Sequence, residues 1–151
     1  LYSMTFNNDL DADYASLSEF ARYRQDCVNS GAAYFLEVFN PNAPRNLTAE
    51  AIPGYVNDML VRALAGVTKA ERPQFLKIAY NGARAMDELV SFDPSLVVGI
   101  LGGSAGTTRD CFELLNQAER NGARVALFGR KINLAESPLD LVSFFRPVIG
   151  G

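Results

Sequence analysis

Two side chains of opposite charge interrupt apolar runs of this chain and could do chemistry together. Lys77 stands inside the run 75–80, and Glu37 stands inside the run 34–39. Burying an ammonium group removes hydration, which in general lowers a lysine pKa and provides the free amine that a Schiff-base mechanism needs. A carboxylate on the neighbouring strand is the expected partner. The pair is therefore interpreted either as a buried salt bridge or as a nucleophile, Lys77, beside its proton shuttle, Glu37.

The sequence leaves other roles open for single residues near this pair. Lys77 alone could be an edge-strand lysine that prevents aggregation, or a side chain that extends from a strand end into solvent. Tyr80 follows Lys77 by three residues and is predicted near the carboxyl end of the same strand. It could contact a substrate, or it could pack against the helical layer.

Glycines follow two successive predicted strands and could form an anion site. Glycine lets a backbone approach a ligand closely, and the N–H groups at a helix start attract phosphate, although a strand-to-helix turn also uses glycine for steric reasons. Two such strand ends in succession resemble the place where (β/α)8 barrels commonly bind phosphate. The candidate phosphate-binding residues are Gly102, Gly103, Ser104, Gly129 and Arg130. Arg130 would make a charge-assisted contact with the anion, and Lys131 is expected to face solvent.

Short apolar runs alternate with longer amphipathic ones, which predicts strand–helix units with parallel strands. Thr48 is a plausible N-cap of the second helix, and Ser137-Pro138 marks the start of the last. The predicted strands are 1–6, 34–39, 75–80, 96–101 and 124–128, and the predicted helices lie near 12–30, 48–68, 82–91, 108–121 and 138–146.

This pattern fits either an open doubly wound sheet or part of an eight-stranded barrel. Charged side chains in the middle of two strands favour the barrel, whose inward positions hold functional groups. Alternation along a strand should point Glu37 the same way as Phe35 and Phe39, and Lys77 the same way as Phe75.

Composition predicts one globular domain over residues 1–151, since 48% of the residues are hydrophobic and 21% are charged. The alternation of strands and helices assigns this domain to the α/β class. The net charge of −3, without a basic block, argues against nucleic acid or an anionic membrane as a partner. No apolar stretch approaches the roughly 20 residues of a membrane span, so a cytoplasmic protein is expected. Cys27 and Cys111 lack the spacing of a disulfide framework or a zinc site, and the lack of histidine excludes histidine catalysis within this chain.

In the order and spacing of its strand motifs, the chain resembles the class I, Schiff-base aldolases of the tagatose-bisphosphate, deoxyribose-phosphate and archaeal fructose-bisphosphate group. Segment 35–38 resembles the fifth strand of that family, 76–80 the sixth, 100–104 the seventh and 127–130 the eighth, where the family holds a substrate phosphate. The resemblance implies that Glu37 is the acid–base glutamate and Lys77 the Schiff-base lysine.

The resemblance further implies a TIM (β/α)8 barrel of which this chain supplies roughly strands 4 to 8, with Leu1 inside the fourth strand. Five strands cannot close such a barrel, so the remainder of the barrel or a second copy would complete it, and a homo-oligomer is expected. The implied activity is that of a metal-independent aldehyde-lyase of carbohydrate metabolism, without a cofactor. It would cleave or form a carbon–carbon bond in a phosphorylated ketose.

Two alternatives remain open from the sequence. One is a phosphate-binding barrel of other chemistry, an isomerase or a flavin-dependent protein, in which Lys77 only contacts substrate. The other is a non-catalytic sensor of sugar phosphates that keeps the fold and controls a partner.

Overall fold

A computed structural model of the chain describes residues 1–103 and 106–150. All five predicted strands are present, each shorter than predicted. They are β1 (Tyr2–Thr5), β2 (Leu36–Phe39), β3 (Leu76–Ile78), β4 (Val98–Leu101) and β5 (Val125–Leu127). β2 and β4 begin two residues later than predicted and keep their predicted ends, whereas β1, β3 and β5 are shorter at both ends.

The helices confirm the predicted alternation and add one short element. They are α1 (Leu10–Ser30), α2 (Ile52–Leu64), α3 (Ala83–Phe92), α4 (Thr108–Arg120), α5 (Arg130–Asn133) and α6 (Pro138–Gly150). With four residues, α5 is too short to show a helical period in the sequence. Among the described residues, no helix combines the length and the apolar character needed to cross a bilayer.

The starts of the helices show where local signals succeeded and where one failed. Pro138 is the first residue of α6, as predicted. Thr48 is not the N-cap of α2, because residues 48–51 form a separate turn in which the Ala51 N–H donates to the Thr48 carbonyl at 3.1 Å. The helix begins later, at Ile52, where a proline in the first turn needs no hydrogen-bond partner for its nitrogen.

The sheet decides between the two architectures that the sequence allowed. Its strands run in the order β1-β2-β3-β4-β5, and every neighbouring pair is parallel. A doubly wound sheet reverses its strand order at a switch point, and no reversal occurs among the strands described. Because successive right-handed crossovers in one direction place every helix on the same face, this sheet is a segment of a barrel.

The hydrophobic core lies between the sheet and its helices. Alternate strand residues point into it, among them Met4, Leu36, Val38, Leu76, Ile78, Val98 and Ile100, and they pack with helix residues such as Phe20, Leu60, Met86, Leu89 and Leu115. Both cysteines are buried and free. The residues between these core positions point to the opposite face of the sheet, which carries the site described below.

The turn after β1 holds the loop that follows β2. The side-chain oxygen of Asn7 accepts hydrogen bonds from the backbone N–H groups of residues 42–43 at 3.1 and 3.0 Å. Asn8 donates to the Arg45 carbonyl at 2.8 Å, and the Arg45 guanidinium pairs with Asp9 at 2.8 Å. These polar residues therefore fix the position of a loop at the carboxyl end of the sheet.

The Tyr55 hydroxyl extends this network and provides a test of its contribution to stability. It accepts from the Asn8 backbone N–H and donates to the buried Asp13 carboxylate, both at 2.8 Å. Burial, and then the hydrogen bond to Asp13, raise the pKa of Tyr55 to about 12 from the usual 10.0. Tyr55→Phe is expected to lower the free energy of unfolding by about 1 kcal/mol at neutral pH, measured by urea denaturation.

The pH dependence of this contribution has a definite sign. Because the folded-state pKa lies above the unfolded value, the stabilisation is fully present below about pH 10 and is lost as the pH rises through about 12. The stability difference between the protein and Tyr55→Phe should therefore shrink over that interval. Tyr14→Phe, at a tyrosine that is 71% exposed, is the control. A difference that stays constant with pH would contradict the prediction.

Candidate active site

A row of four residues crosses the sheet at one level and contains both predicted catalytic residues. Parallel pairing places Ser3, Glu37, Lys77 and Gly99 side by side on β1 to β4. The Lys77 Nζ lies 2.6 Å from Glu37 Oε1. Ser3 Oγ donates to the other carboxylate oxygen, Glu37 Oε2, at 2.7 Å. Each oxygen of Glu37 therefore has its own partner, and the predicted pairing of the two charges is present.

The surroundings of Lys77 differ in two ways from what the sequence suggested. Its side chain is 20% exposed, whereas that of Glu37 is 8% exposed, so the lysine is only partly buried. It also lies on β3, the central strand of the five, so the interpretation as an edge-strand lysine is wrong. The rings of Phe35 and Phe75, two residues before Glu37 and Lys77 in the sequence, stack on each other with centroids 4.6 Å apart.

Gly99 is the neighbour of Lys77 in this row and leaves no room for a side chain. A Cβ atom at this position would lie 3.0 Å from the Leu76 carbonyl oxygen and 3.0 Å from both Cβ and O of Val125. Real Cβ contacts are rarely so short, and backbone atoms cannot yield easily. Glycine therefore allows the strands beside Lys77 to lie at their observed positions.

A cavity of about 710 Å³ opens on this face at the carboxyl ends of the strands. Glu37 and Lys77 line it together with four of the predicted phosphate-binding residues, Gly102, Gly103, Gly129 and Arg130. The fifth, Ser104, lies outside the described residues. The structure thus brings the charged pair and the two glycine-bearing strand ends into one cavity.

Steric needs also explain two of these glycines. A Cβ atom at Gly102 would lie 2.9 Å from the ring of Phe128, the residue that follows β5. Gly103 has a φ of +70°, a conformation that side chains disfavour. Gly102 and Gly103 therefore have a steric reason to be glycine, which is one of the two explanations that the sequence allowed. This reason is compatible with ligand binding, because both glycines also line the cavity.

Lys131 does not simply face solvent, contrary to the expectation from the sequence. It lines the cavity next to Arg130, and its Nζ is 3.2 Å from the Cβ position at Gly106. Hydrogen bonds from Thr107, and then the charge of Lys131, lower the pKa of Asp110. The short helix α5 turns the chain back toward the loop after β4, and two cations therefore lie at this end of the cavity.

Tyr80 is the predicted site residue that the structure places elsewhere. It packs against the hydrophobic core, and its hydroxyl accepts a hydrogen bond from Asn121 Nδ2 at 3.3 Å. It is absent from the described residues that line the cavity. Of the two roles that the sequence allowed, Tyr80 therefore has that of packing against the helical layer. It does so because it lies just past the end of β3 and turns toward the helices.

Sequence reasoning missed two features of the site. Ser3 was not singled out, although it alternates with apolar residues on β1 as Glu37 does on β2, and this alternation was the available signal. The other feature is a pair of asparagines, Asn40 and Asn81, that follow β2 and β3 and bind each other through their side-chain amides. Nothing in the sequence connects two asparagines that are 41 residues apart.

The chemistry available to this site is that of a lysine and a carboxylate. Within residues 1–103 and 106–150, no three cysteine, aspartate or glutamate side chains are grouped so that they could hold a metal ion. A proton can pass directly between Lys77 Nζ and Glu37 Oε1, because the two atoms are at hydrogen-bond distance. The arrangement can therefore provide an amine nucleophile and an adjacent acid–base group.

Solved structures resemble this fold closely. The chain matches a crystal structure of an archaeal fructose 1,6-bisphosphate aldolase with a TM-score of 0.73 and 19% sequence identity, covering 99% of this chain and 57% of that one. The sheet order and this match together settle the architecture. The chain has the fold of a partial TIM barrel. The barrel segment spans 57% of the length of the neighbours it matches.

Two further barrel structures have the same extent of similarity. A Schiff base forming fructose-1,6-bisphosphate aldolase matches with a TM-score of 0.72 and 18% identity, over 97% of this chain and 57% of that chain. An archaeal fructose-1,6-bisphosphate aldolase whose catalytic lysine is covalently bound to the carbinolamine intermediate of its substrate has a TM-score of 0.72 and 18% identity, over 99% and 57%. No protein-family model and no curated protein matches the sequence.

Proposed function

We propose that the protein is a class I aldolase that cleaves or forms a carbon–carbon bond in a phosphorylated ketose through a Schiff base on Lys77. The observation that supports the proposal most is the contact of 2.6 Å between Lys77 Nζ and Glu37 Oε1 at a cavity that two glycine-bearing strand ends also line. The similarity in fold to Schiff-base aldolases adds to this support.

In the first half of the proposed reaction, Glu37 and Lys77 form the covalent intermediate. The Glu37 carboxylate takes a proton from the Lys77 ammonium, and the resulting amine adds to the ketose carbonyl carbon. The carbonyl oxygen takes up the proton that the attacking nitrogen loses and becomes the hydroxyl of a carbinolamine. Protonation of this hydroxyl by Glu37 releases water and leaves an iminium ion on Lys77.

In the second half, the iminium accepts the electrons of the bond that breaks. Glu37, again a carboxylate, removes the proton from the hydroxyl two carbons away from the iminium carbon. The carbon–carbon bond electrons move into the iminium to form an enamine, and an aldehyde leaves. Protonation of the enamine and hydrolysis then return the amine of Lys77. Because the iminium is the electron sink, this chemistry needs neither a metal nor a cofactor.

The phosphate of the substrate would bind at the carboxyl ends of β4 and β5. Gly102, Gly103, Ser104 and Gly129 would offer backbone N–H groups, and Arg130 would supply a charge-assisted contact. Holding the phosphate here would keep the carbonyl within reach of Lys77, and such positioning is a large part of the catalytic advantage of an enzyme.

We propose that residues 1–151 form the C-terminal portion of a single (β/α)8 barrel, as strands 4 to 8. A coverage of 57% of the neighbouring aldolases supports a partial barrel. The remainder of the barrel or a second copy of this chain would then complete the wall of the cavity. We propose a homo-oligomeric, cytoplasmic enzyme of carbohydrate metabolism.

Borohydride trapping tests the covalent step. The protein is incubated with dihydroxyacetone phosphate, reduced with borohydride and mapped by peptide mass spectrometry. We expect a stable adduct on Lys77 and on neither of the other two lysines of the chain, Lys69 and Lys131. Lys77→Ala should abolish the adduct, and Lys69→Ala should leave it unchanged. Phosphate binding without an adduct on Lys77 would overturn the proposal.

A further inference from the structure

Two asparagine side chains bridge the ends of the strands that carry the acid and the lysine. Asn40 directly follows β2, which holds Glu37, and Asn81 follows β3, which holds Lys77, by three residues. Asn40 Nδ2 donates to Asn81 Oδ1 at 2.8 Å, and Asn81 Nδ2 donates to Asn40 Oδ1 at 2.9 Å. The reciprocal contact fixes both amide groups relative to the two strands.

This pairing leaves hydrogen-bonding capacity on each amide. A carboxamide has two N–H donors and two lone pairs on its oxygen, and the reciprocal contact uses one of each. Among the described residues, the side-chain hydrogen bonds of both amides go only to each other. Asn40 also lines the cavity that Glu37 and Lys77 line. The cavity wall therefore carries an oriented, neutral group that can both donate and accept.

The position of the pair in the sheet distinguishes it from the anion site. The cations Arg130 and Lys131 follow β5, at the edge of the sheet where glycines also follow β4 and β5. The amides follow β2 and β3, nearer the opposite edge. A neutral amide suits a hydroxyl group, which also donates and accepts, better than it suits a phosphate. A ligand whose phosphate lies near β4 and β5 would extend its hydroxyl-bearing carbons past Lys77 toward the amides.

We propose that Asn40 determines specificity by hydrogen-bonding a hydroxyl group of the phosphorylated ketose, and that Asn81 is a positioning residue that holds Asn40 in its binding orientation. The inference rests on the proposed aldolase function. A site built to bind a hydroxyl rejects an analogue that lacks it, because the polar group of the protein then loses its partner.

The test compares substrates that differ by one hydroxyl group. Steady-state kcat/KM is measured for the protein, Asn40→Ala and Asn81→Ala with a ketose phosphate and with its deoxy analogues. Loss of one hydrogen bond should lower kcat/KM of Asn40→Ala about 10-fold for the hydroxylated substrate, and leave it unchanged for the one analogue that lacks the contacted hydroxyl. Asn81→Ala should show the same substrate dependence with a smaller loss. Asn29→Ala, on an exposed face of α1, is the matched control.

An equal loss of kcat/KM for every substrate would overturn the proposal and assign the pair a purely structural role. If Asn40→Ala does not fold, Asn40→Leu carries the same comparison, because leucine keeps the size of the side chain but neither donates nor accepts a hydrogen bond. Borohydride trapping on Lys77 is followed in parallel with each variant. If the adduct forms on Lys77 but Asn40→Ala lowers kcat/KM equally for every deoxy analogue, the proposed role of Asn40 is wrong and the proposed function is unaffected. Failure of trapping in the unaltered protein counts against the proposed function.

Discussion

Glu37→Gln is expected to lower turnover about 1,000-fold, since general acid–base groups typically contribute factors of this order. The substitution keeps the size of the side chain and its capacity to accept the hydrogen bond from Ser3. It removes the carboxylate that we propose takes the proton from Lys77, whose Nζ lies 2.6 Å from Glu37 Oε1. An ammonium ion cannot attack a carbonyl, so formation of the carbinolamine and its loss of water should both become slow.

The kinetic pattern separates this role from substrate binding. The loss should lie mostly in kcat, with a small change in KM, because the proposed role of Glu37 is proton transfer and the residues proposed to bind the phosphate are unchanged. The rate of borohydride trapping on Lys77 should fall in parallel. Glu19→Gln, at a glutamate whose side chain is 59% exposed, is the control for removing a carboxylate elsewhere. Turnover of Glu37→Gln close to that of the unaltered protein would exclude Glu37 as the proton shuttle.

Leu60→Ala is expected to lower the free energy of unfolding by about 3 kcal/mol, the typical effect of removing a buried leucine side chain. Leu60 is 0% exposed and belongs to the core between the sheet and α2. The substitution removes apolar contacts and leaves a cavity in this core. Because a domain has only about 5–15 kcal/mol of stability in total, the change should be plain in urea denaturation.

An exposed leucine provides the control for this prediction. Leu10 is 85% exposed near the start of α1, so Leu10→Ala should change the free energy of unfolding by no more than about 0.5 kcal/mol. Similar losses at the two positions would show that the helical layer is not packed as described.

Much of the fold was predictable because it depends on local patterns. The strands of a parallel sheet read as short apolar runs, and charges inside two of these runs, Glu37 and Lys77, identified positions that face away from the core. The register of β2 against β3 then brings the two charges together. Errors occurred where local signals competed, as at Thr48, whose turn ends before the proline-containing start of α2.

The rest of the site depends on contacts between distant segments. Serine and asparagine are common in turns and on surfaces, so neither Ser3 nor the pair of Asn40 and Asn81 stands out by residue type. Their roles arise from strand register and from the convergence of strand ends. The expectation that Lys131 faces solvent was wrong for a related reason, since the direction of its side chain is set by α5, which is too short to be recognised in the sequence.

The strand order also has a consequence for how the molecule folds. Every strand pairs with its neighbours in the sequence, and contacts of this kind close smaller loops than pairings between the ends of a chain do. The unit from β2 through α2 to β3, residues 36–78, contains both Glu37 and Lys77. This strand–helix–strand unit alone contains both strands whose pairing brings the carboxylate to the ammonium during folding. The contact between Glu37 and Lys77 therefore does not require β1, β4 or β5 to have formed.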